Sequence, residues 1–402
     1  MYSTILPFAI DLPAEVPFAF CLQRLIGHLE TLVDQRDPRG VRYPLAALLA
    51  IAVHATLAGA SRVEALADWA SFRAPDLARC FGLPRPTMPH ARTWGRIFAH
   101  AVDPAALEQV LRTFFLQAQY TSEVPQRGSI MLAVDGKTLR GTIPAGQTKG
   151  VHLVAAYLPA QGVVLAQLAG AEKANEIVAV PQLIAQLDVT GMVVTGDAMQ
   201  AQQALSVQIV ESGGDYLWMV KENQPTLYAD SALLFTPEMV GVGCSALPTD
   251  FRTARSVDNA HGRLEERVIT VSSMLKDYSR WPYLEQVFKL ERIVTNRRGK
   301  RSREVRYGVT SLPADLATAA RLLSIARAEW GIENGLHYRH DVSLHEDSSR
   351  MRRGRAPHVF AALNNAVIGI VAQHGVPNLA KAQREFQYRI DRGLAHDARR
   401  AT

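Results

Sequence analysis

Apolar residues in the first part of the chain recur at the spacing of buried helix faces. Residues 43–60 form a nearly continuous apolar run, and Leu107, Val110, Leu111 and Phe114 repeat every three or four positions. Pro84, Pro86 and Pro89 interrupt the pattern between these stretches. The pattern predicts an all-helical N-terminal domain over residues 1–125.

The period changes after residue 126. Short apolar or β-branched runs now alternate with helical stretches and with Gly or Pro turns, which is typical of a sheet covered by helices. Strands are predicted at 130–134, 151–157, 163–168, 192–195 and 216–220, and helices at 175–187 and 200–212. The fold class is therefore α/β over residues 126–230, a mixed sheet with helices on both faces.

The stretch before the next helical pattern is too long for a simple loop. Runs at 267–271, 287–294 and 304–309 alternate in polarity or are β-branched, and they predict a mostly β insertion over residues 231–312. Residues 313–402 are expected to complete the α/β domain, with one more helix at 357–373 and a basic C-terminal region.

Three acidic residues stand out against this pattern. Asp135 and Asp197 each follow a predicted strand, at the position where open α/β sheets place their sites. Glu333 is spaced to lie on the apolar face of a helix with Trp330 and Leu336, where a carboxylate is costly unless a cation meets it. Two strand-end aspartates and a helix-borne glutamate are the ingredients of a divalent-metal site for phosphoryl transfer.

Other interpretations of these acids stay open. An aspartate after a strand is also an ordinary turn residue. Asp341, Glu346 and Asp347 compete with Glu333 for the third position, but they follow the point where the helical pattern weakens and are interpreted as solvated loop residues.

Charge and cysteine content favour some classes of protein over others. The net charge of +6 and pI near 9.3 favour a polyanionic partner, and three scattered cysteines indicate neither a disulfide framework nor a zinc module. The N-terminus has no basic segment typical of a secretion signal, so a cytoplasmic location is expected. The apolar run at 44–60 contains His54 and is short for a membrane span, so it is predicted to be a buried helix.

Basic residues cluster at several places. Arg92 and Arg96 could belong to a helix-turn-helix DNA reader, although an ordinary helical bundle with a solvated arginine face would have the same pattern. Other basic or polar residues lie near the predicted strand ends, in a turn between two predicted strands, or after the Glu333 helix. Those proposed to contact DNA are Lys137, Arg140, Lys221, Asn223, Arg263, Arg297, Arg298, Lys300, Arg327, Arg350, Arg352 and Arg353.

Seven motifs in chain order resemble those of the ISAs1 family of insertion-sequence transposases, which have an RNase H-like DDE catalytic core. They are Ala133-Val-Asp135-Gly-Lys137-Thr-Leu-Arg140-Gly, Lys173-Ala-Asn175-Glu176-Ile, Gly196-Asp197-Ala-Met with Gln202, Asp215-Tyr216, Lys221-Glu-Asn223-Gln224, His261-Gly-Arg263-Leu-Glu265 and Trp330-Gly-Ile-Glu333-Asn334-Gly-Leu-His337. Asp37-Pro-Arg39 and the helical N-terminus also resemble that family, so the resemblance covers nearly the whole chain.

The resemblance implies that Asp135, Asp197 and Glu333 form a catalytic triad that binds two Mg²⁺ ions, for which Mn²⁺ can substitute. It implies cleavage of double-stranded DNA at terminal inverted repeats and transfer of the 3′-hydroxyl into target DNA. The working form is expected to be a homodimer in the bacterial cytoplasm, associated with the nucleoid, without a membrane or a small-molecule cofactor. The N-terminal domain would serve DNA binding or dimerisation.

The chain departs from the pattern of the wider transposase group near Glu333. That group has an arginine four residues before the glutamate and a lysine seven after it, where this chain has Glu329 and His340. Arg327 and Arg339 are substitutes by proximity. Two alternatives therefore stay open, namely an RNase H-like nuclease without strand transfer and a catalytically idle, repurposed DNA-binding protein.

Overall fold

The computed structural model describes residues 18–117, 126–170, 176–236, 250–260, 263–329, 331–376 and 378–388. The chain forms two compact units. Among the described residues, the first unit contains those within 126–135 and 180–332, and the second contains those within 18–117, 136–179 and 333–388. The predictions for residues 173–175, 261–262, 330 and 389–402 lie outside the described residues.

A parallel set of strands opens the sheet of the first unit. β1 (Ile130–Thr138), β4 (Met192–Gly196) and β5 (Asp215–Val220) are numbered in chain order, and β4 pairs in parallel with both β1 and β5. β4 and β5 are buried along their whole length. Continuous apolar runs of this kind are typical of parallel strands covered on both faces.

The predicted β insertion continues this sheet. β7 (Arg263–Ser272), β8 (Gln286–Thr295) and β9 (Arg301–Thr310) confirm the three strands predicted there, and β6 (Arg252–Ala260) is an additional strand. All four are joined antiparallel in the order β6–β7–β8–β9, and β9 pairs with β5. The insertion strands are therefore hydrogen-bonded into the same sheet as β4 and β5.

Helices pack against the sheet of the first unit. They are α8 (Gln203–Glu211), α9 (Pro225–Leu234) and α10 (Ala319–Ala328). The sequence of α7 (Glu176–Ile184) begins in the second unit and ends in the first. Leu322 and Ile325 of α10 pack with Phe288 of β8 and Leu217 of β5 in one buried cluster. The predicted apolar face of this helix is thus confirmed over the residues of α10.

The second unit is mostly helical. Its helices are α1 (Phe18–Leu29), α2 (Leu45–Leu57), α3 (Val63–Phe72), α4 (Ala74–Cys80), α5 (Ala91–Arg96), α6 (Pro104–Gln117), α11 (Ala356–Gln373) and α12 (Leu379–Tyr388). It also contains the antiparallel hairpin of β2 (His152–Leu158) and β3 (Val163–Gly170). The predicted N-terminal helices share this unit with α11, and Phe98 lies 6.1 Å from Phe360 of α11 between ring centroids.

Helix α2 explains the apolar run at 44–60. All of its residues are buried, including His54. The run is therefore a core helix, as predicted. Of the residues whose structure is described, none belongs to a helix long and apolar enough to cross a membrane.

Candidate active site

Two predicted site residues lie at the same edge of the sheet in the first unit. Val134 of β1 is paired with Gly196 of β4 in a parallel register, so that Asp135 and Asp197 are the next residues on neighbouring strands. β1 continues to Thr138, and Asp135 therefore lies within the strand rather than after it. Asp135 is half-buried and Asp197 is exposed. The register therefore places the two residues next to each other across neighbouring strands, and their shared role in one site stays a prediction.

The backbone around Asp197 is fixed by a helix cap after it and by a close contact between β4 and β1 before it. Asp197 caps a short 3₁₀ helix, Ala198–Gln200, and its Oδ1 accepts a hydrogen bond from Met199 N at 3.0 Å. A Cβ added at Gly196 would lie 3.0 Å from the carbonyl oxygen of Val134, closer than side chains normally approach. Glycine at 196 thus allows β4 to lie against β1 just before the carboxylate.

Asn223 has a structural contact that its sequence position did not predict. Its amide Nδ2 donates a hydrogen bond to the carbonyl oxygen of Ala198 at 2.7 Å, and Gln224 donates to Ala201 at 2.9 Å. Both bonds hold the segment that follows Asp197. Asn223 therefore supports the candidate site, in addition to any contact with DNA.

Glu333 does not lie on the buried helix face that its spacing predicts. α10 ends at Ala328, and Glu333 begins a π-helical segment, Glu333–His337, in the second unit. Ile332 and Leu336 are buried, whereas Glu333 is exposed. The predicted burial is wrong, and the role of Glu333 as the third acid remains a prediction.

Glu329 is an acidic residue of the first unit that is electrostatically coupled to both aspartates. It follows α10, it is half-buried, and its Oε2 is buried with no hydrogen-bond partner among the described residues. Burial is the largest influence on the pKa of Glu329, and together with the charges of Asp197 and Asp135 it outweighs Arg306 and Lys221 and raises that pKa to about 8. The sequence pattern marked Glu329 only as a departure from an expected arginine.

A buried ion-pair network occupies the second unit just after Asp135. Lys137 Nζ lies 2.5 Å from Asp341 Oδ1 and 3.0 Å from Glu346 Oε2. Glu346 Oε2 is also 3.2 Å from His340 Nδ1, and its Oε1 accepts a hydrogen bond from Asn364 Nδ2 at 3.0 Å. This network connects the end of β1 with the segment after Glu333 in sequence.

The network corrects one prediction. Glu346 is only 4% exposed, so it is not the solvated loop residue that the sequence pattern predicts. That prediction was wrong because Glu346 and its partner Lys137 are 209 positions apart, beyond the reach of any local pattern. Lys137 is 12% exposed and its ammonium group contacts two carboxylates, and its contact with DNA stays a prediction.

A second buried pair lies beside Gly136. His152 Nε2 is 3.0 Å from Glu176 Oε1, and His152 Nδ1 is 2.9 Å from the Thr138 hydroxyl. A Cβ at Gly136 would come within 2.6 Å of both the Glu176 carboxylate and the His152 ring. Glycine at 136 therefore makes room for this pair, which fixes the strand immediately after Asp135.

The remaining predicted DNA contacts lie on the surfaces of the two units. In the first unit, Arg297, Arg298 and Lys300 are exposed in the β8–β9 turn, which confirms the predicted hairpin tip. Lys221 and Arg263 are exposed as well, whereas Arg327 is 2.9 Å from Asp258. In the second unit the exposed residues are Arg140, Arg350, Arg352 and Arg353.

The donor chemistry at the β1 and β4 ends fits a hard divalent cation. Asp135 and Asp197 follow a directly paired position of two neighbouring strands, and Mg²⁺ is typically held by one or two carboxylates together with waters and substrate phosphates. Among the described residues, no group of three or more His, Cys, Asp or Glu side chains has the arrangement of a complete protein-only metal site. The pair suits a site that a phosphate ligand would complete.

Several known proteins are similar to this chain over most of its length. The chain is 28% identical over 363 residues to the "H repeat-associated putative transposase YhhI" of Escherichia coli K12, covering 88% of this chain and 92% of that protein. It is 29% identical over 357 residues to the "Putative transposase YncI" of Escherichia coli O157:H7, covering 87% of each. A solved piggyBac transposase synaptic complex with hairpin DNA aligns with a TM-score of 0.46 at 10% identity, over 95% of this chain and 81% of that one.

Two family models match along the chain. The model described as "DDE_Tnp_1-associated" matches residues 26–115, which include α2 to α5 and most of α6. The model described as "Transposase DDE domain" matches residues 126–369, from just before β1 into α11. This second match includes Asp135, Asp197, Glu329 and Glu333 and covers more than half of the sequence. The chain therefore belongs to the Transposase DDE domain family.

Proposed function

We propose that this protein is the transposase of an insertion sequence of the ISAs1 family, and that it cuts DNA at the element's ends and joins the freed 3′-hydroxyl to target DNA. The observation that carries the proposal is the pairing of Val134 with Gly196, which sets Asp135 beside Asp197 in a chain of this family. The names of the Escherichia coli relatives support the same activity.

In this proposal Asp135, Asp197 and Glu333 hold two Mg²⁺ ions on an RNase H-like core, with Mn²⁺ as a substitute. Bound divalent ions would activate the attacking oxygen and neutralise charge on the leaving oxygen. Asp135 and Asp197 supply negative charge and oxygen ligands from one sheet edge. Asn223 and the His152–Glu176 pair hold the backbone on either strand in place.

The DNA partners follow from the reaction. The exposed hairpin tip at Arg297, Arg298 and Lys300 and the exposed Lys221 and Arg263 are proposed to contact phosphates. Both ends of an element must be processed together, so a homodimer on paired ends is the proposed working form. Arg327 pairs with Asp258 in this structure and would have to exchange that partner to bind DNA.

The test is excision of a marker flanked by the element's own ends, assayed with purified protein and Mg²⁺. We expect cut ends and joined products from the native chain, and a loss of nearly all cleavage in Asp197→Ala because a metal-binding carboxylate is removed. End binding should be retained in that variant, since binding depends on phosphate contacts. Asp315→Ala, which removes an exposed aspartate elsewhere in the first unit, is the matched control and should cut normally.

The outcomes separate the three candidate functions. Cut but never joined DNA would indicate a nuclease without strand transfer. Binding of the ends by the native chain without any cutting would indicate a repurposed DNA-binding protein. Full activity in Asp197→Ala would contradict the assignment of the site.

A further inference from the structure

A cationic helix face in the second unit lies outside the proposed active site. α5 continues into a π-helical segment, Ile97–Ala101, and Arg92, Arg96 and His100 are exposed at four-residue intervals along it. Trp94 and Phe98 on the opposite face are fully buried. The packing of the aromatic residues therefore fixes the orientation of the helix and turns the cationic face outward.

This face is not part of a compact helix-turn-helix. Residues 81–90 separate α4 from α5, whereas that motif joins its helices by a turn of about three or four residues. The helix-turn-helix alternative is therefore not supported for α4 and α5. The arginines need another explanation.

A second set of arginines, Arg350, Arg352 and Arg353, belongs to a segment that is hydrogen-bonded to the same helix. Arg355 Nη2 donates a hydrogen bond to the carbonyl oxygen of His100 at 2.8 Å, and Arg355 N donates to that of Ala99 at 3.2 Å. Gly354 adopts a φ of +49°, and a Cβ there would lie 2.7 Å from the Ala99 oxygen. Gly354 and Arg355 thus fix the segment that presents the exposed Arg350, Arg352 and Arg353.

Between these two sets of arginines lies an open cleft of about 1430 Å³. Its lining includes five arginines against two carboxylates, namely Arg92, Arg96, Arg350, Arg352 and Arg353 against Glu64 and Asp68. Gly95 lies in the lining between the helix arginines, and a Cβ there would meet no atom within 4 Å. The cleft is thus strongly positive and its glycine leaves room for a ligand at the helix surface.

The cleft continues toward the β1 end of the second unit. A neighbouring depression of about 620 Å³ shares Arg350 and Arg352 and extends to Gly141, whose carbonyl oxygen accepts a hydrogen bond from Arg352 Nε at 3.1 Å. Small-molecule pockets are mostly enclosed and apolar with few polar groups, whereas this cleft is open and has five arginines in its lining. Guanidinium groups on both walls suit a row of phosphates.

We propose that this cleft binds the phosphate backbone of double-stranded DNA, with the helix arginines on one wall and the Arg350–Arg353 segment on the other. The inference rests on the proposed function for its ligand class and adds a binding site within the second unit. It joins Arg92 and Arg96, which belong to the N-terminal helices, and the C-terminal arginines into one surface.

The experiment measures binding of a fluorescent mixed-sequence 30-base-pair duplex at several salt concentrations, without divalent ions. Two double variants, Arg92→Ala with Arg96→Ala and Arg350→Ala with Arg353→Ala, each remove two arginines of the cleft. We expect each to weaken binding roughly tenfold or more, and to reduce the slope of log K against log salt by about two, because each phosphate contact contributes about 0.9.

Two further variants control for fold and charge. Gly95→Leu adds a side chain in open space without changing charge, so it should leave thermal stability unchanged and still weaken binding several-fold by blocking the cleft. Arg79→Ala with Arg85→Ala removes two exposed arginines of the same unit that do not line the cleft, and should bind as the native chain does.

Native affinity and salt slope in both cleft double variants would overturn the proposed cleft. Equal losses in the Arg79 and Arg85 control would overturn it as well, because binding would then depend on net charge alone. If the native chain binds the duplex through the cleft and never cuts DNA, the cleft stands and the transposase assignment fails. No binding by the native chain even at low salt would contradict both.

Discussion

Glu329 in the first unit and Glu346 in the second each have an oxygen withdrawn from water, yet their pKa values move in opposite directions. Burial and the charges of Asp197 and Asp135 raise the pKa of Glu329 to about 8, against the opposing charges of Arg306 and Lys221. Burial would also raise the pKa of Glu346, but His340, Lys137 and Asn364 outweigh it and lower that pKa below its usual value.

The difference shows that partners, rather than burial alone, decide whether a carboxylate is ionised in the folded chain. Glu346 has three partners and forms part of the framework. Glu329 has negative neighbours and a buried oxygen with no hydrogen-bond partner among the described residues. An excess of negative charge, as around Glu329, is what a cation-binding site requires. A carboxylate whose charge and hydrogen bonds are fully matched, as at Glu346, instead stabilises the fold.

The largest expected effect comes from breaking the satisfied network. Glu346→Gln removes the buried charge that Lys137 and His340 contact, and leaves Lys137 with Asp341 alone. We expect the free energy of unfolding to fall by about 3 to 5 kcal/mol, because removing one partner of a buried ion pair is strongly destabilising. Urea denaturation followed by circular dichroism measures this, with the exposed Glu30→Gln as the control.

The same network predicts acid sensitivity. The lowered pKa of Glu346 means that its contribution to stability is fully present above its ordinary value of 4.5, and is lost as the pH falls toward the lower pKa of the folded state. Wild-type stability should therefore decline below pH 4.5 more steeply than that of Glu346→Gln. Parallel acid profiles for the two proteins would contradict the network.

The next largest effect concerns Glu329, the carboxylate with negative neighbours. Because the pKa of Glu329 is raised from 4.5 to about 8, the folded chain retains a proton that the unfolded chain releases, and stability falls as the pH rises through that window. Glu329→Gln should remove this decline and be more stable than wild type by roughly 2 to 4 kcal/mol above pH 8. Unfolding in the presence of EDTA at pH 5 and pH 8.5 is the measurement.

The control for that experiment is Glu211→Gln, which changes an exposed glutamate in the same unit. It should keep the wild-type dependence of stability on pH. If Glu329→Gln also keeps that dependence, the carboxylate is not the group that titrates between pH 4.5 and 8.

The smallest expected effect concerns the backbone that carries Asp197. Asn223→Ala removes the hydrogen bond to the Ala198 carbonyl oxygen, and should cost about 1 kcal/mol of stability while lowering DNA cleavage more than DNA binding. Asn223→Asp keeps the size but cannot donate, so it should behave like Asn223→Ala. Glu222→Gln at the exposed neighbouring position should leave cleavage unchanged, and equal cleavage by all four proteins would show that the bond does not position Asp197.

The sequence predicted most of the elements because their signals are local. The strands of the sheet, the buried helix α2 and the β8–β9 hairpin with its basic tip follow from runs of apolar residues and from turn residues. Strand β6 (Arg252–Ala260) was not predicted because most of its residues are charged or polar. The exposure of Glu333 was not predicted because the spacing assumes one continuous helix, whereas α10 ends at Ala328 and Ile332 rather than Glu333 is buried beyond it.

What the sequence alone determined is the order of elements, the family motifs and the two aspartates on neighbouring strands, Asp135 in β1 and Asp197 directly after β4. Each depends on a few neighbouring residues or on motifs read in order, and needs no knowledge of the fold. Only the tertiary structure decided that Lys137 meets Glu346, that Glu329 is coupled to Asp135 and Asp197, and that Arg92 shares a cleft with Arg350. These relations join residues more than a hundred positions apart, and burial and charge at such distances are set by packing rather than by local pattern.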